Sequence, residues 1–340
     1  MGVTLTENEF ILWKKRGNPM KTKFIFPIIA LGLFAACSDD SSTTGPKETI
    51  TPIESSDSSD PGSSANEEET PLDSLRVTIE NTIPNNTATA VEDYADYNYY
   101  GAELTGKEHF TYGRFEARMK MVSISGSVSS MFLYYDPSYL LKDEPWNEID
   151  IEVLGTNPGS WQSNLITRLP DEEGKRNPKI TSEYKTGFGF NSTEDFHLFA
   201  FVWTPEYISW EIDSVVVRRD ITGMQKGQVE FMTLQQSLRF NLWASKSSGW
   251  TGQFTGAELA DGPVAQEIDY VRVYNYDTET KTFTMAWQDD FDGDALDTKR
   301  WSKGDWDMEK VKLSRDNVVV EDGKCKLLLT RKKKEVAAAD

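Results

Sequence analysis

The run Trp146-Asn147-Glu148-Ile149-Asp150-Ile151-Glu152-Val153 sets three carboxylates at alternate positions. In an extended chain alternate side chains share a face, so Glu148, Asp150 and Glu152 stand with Trp146 while Ile149, Ile151 and Val153 point the other way. Neighbouring acids on that face are about 6.6 Å apart along the backbone and repel one another. Such an arrangement contributes nothing to folding. It suits the two-carboxylate cleavage of a glycosidic bond, in which one carboxylate attacks the anomeric carbon and the other protonates the leaving oxygen. The Cα atoms of Glu148 and Glu152 lie about 13 Å apart on a straight strand, and side chains leaning inward on a concave sheet can approach the ~5–5.5 Å of retaining enzymes. Asp150, one methylene shorter, can share a hydrogen bond with the nucleophile and help keep the acid/base protonated. The competing reading is a solvated acidic strand or a cation site. Flat rings beside amides weigh against it, because Phe132 with Tyr134, and Trp243 with Arg239 and Asn241, suit the apolar faces and hydroxyl edges of sugars.

Strands must position these groups. Phe115, Ala117, Met119 and Met121 alternate with Arg114, Glu116, Arg118 and Lys120; Ile208, Trp210 and Ile212 alternate up to a turn at Asp213-Ser214; and Phe240, Leu242 and Ala244 alternate with Arg239, Asn241 and Trp243. Val271, Val273, Val318 to Val320 and Leu327 to Leu329 supply further strands, and no long helical run or internal repeat interrupts them. Period-two patterning at this density predicts an all-β fold, an antiparallel sandwich.

Composition narrows the chemistry. The chain has 340 residues, 36 Lys and Arg against 55 Asp and Glu, and a net charge of −19. A nucleic-acid partner is not expected, since phosphate neutralisation needs clustered bases. With two cysteines, Cys37 and Cys325, and two histidines, His109 and His197, a zinc cluster, a disulfide framework and a histidine triad lack material. Asp290-Phe291-Asp292-Gly293-Asp294 looks like a calcium loop, yet Ala295 and Trp301 stand where such a loop needs Gly and Glu.

Four segments are expected. Residues 1–37 read as an N-terminal extension and an export signal: Lys21 and Lys23 precede an apolar run from Phe24 to Ala36, too short to span a bilayer, that ends at Cys37. This resembles a bacterial lipoprotein signal with Cys37 as the lipidated residue, and residues 1–19 fit it poorly enough to place the true start at Met20. Residues 38–93 are a Ser/Thr-rich acidic linker, unable to bury a core and expected to be disordered. Residues 94–333 form the catalytic domain, and 334–340 a tail.

The residues over 98–331 resemble glycoside hydrolase family 16, specifically its β-1,3-1,4-glucanases (lichenases). The resemblance rests on Trp146 to Gly155, with the unbulged E-x-D-x-E spacing, and on Tyr112 to Lys120, Trp203-Thr204-Pro205, Phe240 to Trp243 and Asp269 to Tyr274. Trp287 to Gly293, Arg300-Trp301 and Asp322 to Leu327 resemble the segment that opens most family members, but here follow the strand that usually closes the domain. That order resembles the circularly permuted lichenases. The resemblance implies a concanavalin-like β-jelly-roll of two antiparallel sheets, circularly permuted, that hydrolyses mixed-linkage β-glucan internally with retention. Glu148 would be the nucleophile, Asp150 its helper and Glu152 the acid/base. Glu103, Phe132, Tyr134, Trp146, Gln162, Asn164, Arg239, Asn241, Trp243, Trp301, Lys303 and Trp306 would line the sugar subsites. A structural calcium ion would sit near Asp269 and the carbonyls of Asp290 and Gly323, and no cofactor would serve catalysis. Asp136 and Trp161 depart from the permuted relatives, and residues 170–192 are unusually charged. The expected product is an exported lipoprotein of the outer membrane or cell surface, or a secreted protein, monomeric, that meets a membrane only through a lipid at Cys37. Another β-glucan endo-hydrolase of the family, acting on laminarin or xyloglucan, and a non-catalytic carbohydrate-binding sandwich are the alternatives.

Overall fold

The computed structural model describes residues 94–140, 144–169 and 177–335. The expected signal, Cys37, the linker and the end of the tail lie outside the described residues. Within them the chain is a jelly roll of eighteen strands, and no helix exceeds four residues.

One sheet carries the acidic strand. Its order is β14 (Trp301–Lys303), β1 (Tyr97–Phe110), β11 (Gln236–Ala244), β3 (Ser127–Tyr134), β4 (Trp146–Leu154) and β5 (Ser160–Arg168), with β6 (Ile180–Thr181) and β7 (Tyr184–Gly187) along the outer edge of β5. The other sheet runs β10 (Val215–Ile221), β9 (Tyr207–Ile212), β8 (His197–Trp203), β2 (Gly113–Lys120) and β12 (Val264–Asp277). The far edge of β12 is shared: β13 (Thr282–Asp289) pairs with its second half and β18 (Lys324–Lys333) with its first, and β17 (Val318–Glu321) lies beyond β18. A short hairpin of β15 (Asp307–Met308) and β16 (Val311–Leu313) rests on β1. The start of β1 pairs with the end of β18, Tyr97 opposite Lys333, so the two ends of the domain meet in one ladder.

The alternation read from the sequence is realised. Val273, Phe115, Phe201 and Trp210 form one row across the second sheet, and Leu104, Phe240, Met131 and Ile151 form one across the first. These rows meet in a core whose members are fully buried. The β9–β10 turn falls at Asp213 and Ser214, both with positive φ (48° and 66°), the geometry of a tight two-residue hairpin. At the end of β4 only glycine fits, because a Cβ on Gly155 would stand 2.0 Å from the carbonyl oxygen of Ile124. Cys325 is free and buried in this core.

Candidate active site

The opposite face of the first sheet is the floor of a cleft of about 570 Å³. The strand register builds it in rows. Glu103, Asn241, Ser130, Glu152 and Gln162 lie side by side across β1, β11, β3, β4 and β5, and the next row is Thr105, Arg239, Phe132, Asp150 and Asn164. Tyr134 stands opposite Glu148, one row further along. The three carboxylates of β4 therefore share one face, as alternation requires, and each is flanked by a side chain from both neighbouring strands. Two contacts from behind hold that strand in place. The indole N–H of Trp210, in the core, donates to the carbonyl of Asp150 at 2.9 Å, and the amide oxygen of buried Asn147 accepts from the backbone N–H groups of Thr233 and Leu234 at 3.1 Å each.

The three acids differ in their surroundings. Glu148 accepts from the indole N–H of Trp146 at 2.6 Å. Burial raises its pKa, while Trp146, the nearby Lys179 ammonium and a hydrogen bond with Asp150 all favour its charged form. Asp150 is pushed well above the carboxylate range by burial and then by the charges of Glu148 and Glu152, so it is the group that carries the proton between itself and Glu148. Glu152 is pushed up to about 8, first by burial and then by the charges of Glu148 and Glu183. A 2.8 Å hydrogen bond from Gln162 opposes that rise. At neutral pH Glu152 is thus a proton donor, while Glu148 has the strongest support for its anion. Further along the cleft Arg239 bridges Glu103 (3.0 Å) and Asp136 (2.7 Å). Asp136 also receives Ser237 at 2.7 Å and lies 3.0 Å from His109. Burial alone would raise Asp136, yet His109, Arg239 and Ser237 hold it at about 2.

The family model for glycosyl hydrolases family 16 matches residues 62–272. The chain belongs to glycosyl hydrolases family 16. Among curated proteins of this kind, a beta-glucanase of Fibrobacter succinogenes is 44% identical over 244 residues, 70% of this chain and 66% of that protein. A beta-glucanase of Acetivibrio thermocellus is 33% identical over 195 residues, 56% of this chain and 52% of that protein. The chain therefore spans about two thirds of the first relative and about half of the second. Of solved structures, a Bacillus licheniformis beta-glucanase aligns with 27% identity and a TM-score of 0.36 over 45% of this chain and 63% of that one.

Within this family 16 domain, Glu103, Phe132, Tyr134, Trp146, Glu148, Asp150, Glu152, Arg239, Asn241, Trp243 and Trp306 all line the cleft. Four residues expected at subsites do not. Trp301 is 1% exposed and belongs to the core, packed against Phe240, Trp287 and Phe291 with its N–H on Asp289 at 2.7 Å. Lys303 turns away to the carbonyl of Val318 at 2.6 Å. Asn164 is on the correct face, but its amide oxygen accepts from the backbone N–H of Ser182 at 3.1 Å, which ties down the segment between β6 and β7. Gln162 reaches the site only through Glu152. Conversely Thr105, Ser130, Asp136, Ser302 and Met308 line the cleft without having been singled out as sugar contacts. Thr105 and Ser130 were legible, being two residues from Glu103 and Phe132 on their strands. Ser302 and Met308 arrive from β14 and β15, and no local pattern marks them.

Asp269, Asp290 and Gly323 converge where β13 ends and β18 begins against β12, Asp269 being the extra residue of a bulge opposite β2. The carboxylate of Asp269 faces the guanidinium of Arg118 at 2.7 Å, and that of Asp290 takes the amide of Gln288. Among the described residues no group of three or more acidic, His or Cys side chains is placed to hold a metal ion.

Proposed function

We propose that the chain is an endo-acting retaining glycoside hydrolase that cleaves mixed-linkage β-1,3-1,4-glucan. One observation carries the reading: three acids on one strand at a cleft floor are made unequal, with burial raising Glu148 but offset by the Trp146 N–H, Lys179 and Asp150, while Glu152 is pushed up to about 8. In the first step Glu148 attacks the anomeric carbon while Glu152 gives its proton to the departing oxygen. Forming the glycosyl ester removes the charge of Glu148, the largest cause after burial of Glu152's raised pKa. Glu152, left as a carboxylate by its proton transfer, stays ionised more readily once the Glu148 charge is gone, and in the second step it takes the proton of the attacking water as the base. Asp150, which carries the shared proton, donates its hydrogen bond to the Glu148 carboxylate and so orients it for attack. The carboxylates of Glu103 and Asp136, clamped by Arg239, and the rings of Phe132, Tyr134, Trp243 and Trp306 suit the hydroxyl edges and faces of a glucan chain. The relatives, both beta-glucanases, support the substrate class.

The test is the release of reducing ends from barley β-glucan, laminarin, xyloglucan and cellulose in parallel. Preference for barley β-glucan is expected, with loss of nearly all activity in Glu148→Gln. Preference for laminarin or xyloglucan moves the assignment within the family, and binding without cleavage on all four replaces it with a carbohydrate-binding sandwich.

The same reading includes circular permutation. The family match ends at residue 272, yet β13 to β18 follow it and complete the sandwich, and the two ends of the domain are adjacent on β1 and β18. A structural calcium ion would be held at the β12–β13–β18 junction by Asp269 and the carbonyls of Asp290 and Gly323, away from the cleft. The Asp269–Arg118 pair is about one third exposed on each side, so it opposes the metal only weakly. The ion would tie two strand ends together and takes no part in the reaction. Export as a lipoprotein rests on the apolar run before Cys37, and a mature N-terminus that is not an acylated Cys37, by mass spectrometry, would remove it.

A further inference from the structure

Gln162 is 2% exposed and lies beside Glu152 on the neighbouring strand. Its Nε2 donates to Glu152 Oε2 at 2.8 Å, and its Oε1 accepts from the indole N–H of Trp250 at 3.0 Å. An indole N–H can only donate, so the atom it meets must be the amide oxygen, and the NH₂ group is left facing Glu152. Trp250 is itself held firmly. It sits in the one-turn helix Ser248–Thr251, its ring lies 6.1 Å from that of Trp243, and the turn is tied to the lead-in of β3 by the Gly126 N–H to Thr251 carbonyl bond of 2.8 Å. Gly252, which ends the turn with φ of 85°, stands so close to Ser125 that a Cβ there would come within 2.7 Å of its hydroxyl.

We propose that Trp250 is a positioning residue for the acid/base carboxyl, fixing the amide of Gln162 so that it presents a donor and never an acceptor to Glu152. This rests on the assignment of Glu152 above and goes beyond it by naming what sets its proton affinity from outside the acidic strand. A donor stabilises the carboxylate, whereas a reversed amide would accept from the protonated acid and repel the anion. The charged groups that face Glu152 are Glu148 and Asp150 from its own strand, Glu183 from the link between β6 and β7, Lys185 from β7, and Glu103 at the far end of its row; Lys185 stands directly opposite Gln162. These pull in both directions, and the tryptophan decides which face of the amide joins them. Without that bond Glu152 would hold its proton more tightly and serve less well as the base of the second step.

The experiment uses the full chain with Trp250→Phe, Gln162→Leu and the double variant, reading the alkaline limb of kcat/KM on barley β-glucan and the Tm. Trp250→Phe should move the limb upward by about half a pH unit. Gln162→Leu should move it in the same direction, and adding Trp250→Phe to Gln162→Leu should move it no further. An unmoved limb in a folded Trp250→Phe protein, or an equal extra shift in the Gln162→Leu background, overturns the proposal. A second measurement needs neither activity nor a folded variant. In ¹⁵N-labelled protein the Trp250 indole and Gln162 amide resonances should titrate together with Glu152. Flat resonances overturn the relay. Titrating resonances in a protein that cleaves none of the four glucans would leave the relay standing and remove the glycosidase reading.

Discussion

The raised pKa of Glu152 makes a strong demand on the pH profile. If Glu152 must be protonated to release the leaving group, kcat/KM on β-glucan should fall on the alkaline side with a midpoint at about 8. Each further pH unit should cost about tenfold. The acid side should be set by Glu148, whose pKa is also raised, so activity should begin to fall above the ordinary glutamate range. Initial rates of reducing-end release at low substrate, from about pH 4 to pH 10, give both limbs. Glu152→Gln should lose about 10²–10⁴-fold on β-glucan, but far less on an aryl β-glycoside whose phenolate leaves without a proton, and its alkaline limb should vanish. Stability carries the same signature. Between the unfolded glutamate pKa and about 8 the folded protein binds a proton that the unfolded chain has lost, so stability should decline with rising pH across that window and level off above it. Glu152→Gln should flatten this contribution in thermal melts. An alkaline limb that persists unchanged in Glu152→Gln, or an equal loss on β-glucan and on the activated glycoside, would refute the assignment of this carboxyl as the acid.

Trp301→Phe deletes a buried N–H bond to the Asp289 carboxylate and should cost about 2 kcal/mol, or about 4–8 °C in Tm, with KM for β-glucan unchanged. A raised KM at unchanged Tm would return Trp301 to the subsites. Chelation of calcium should lower the Tm by on the order of 5 °C, and Asp269→Ala should abolish that response while leaving activity below the melt intact. A melt indifferent to chelator removes the ion from the β12–β13–β18 junction.

Alternation alone determined most of what matters here. Because a strand has a period of two, Glu148, Asp150 and Glu152 had to share a face whatever they paired with, and the same parity put Phe132 beside Tyr134 and Arg239 beside Asn241 and Trp243. The hairpin at Asp213-Ser214 and the core strands followed from the same pattern. Parity says which residues share a face, but not whether that face is covered. Trp301 is on a short strand at the sheet edge where Phe291 and Trp287 close over it, so a ring that reads as a sugar platform is core. Met308 and Ser302 reach the cleft because a distant hairpin and β14 dock on β1. The proton affinities were also a tertiary decision. Local sequence supplies the like charges of the acidic strand, but burial, Gln162, Glu183 and the indole of Trp250 come from elsewhere in the chain. Electrostatic energies depend on distance and desolvation, and both exist only once strands far apart in sequence have been brought into register.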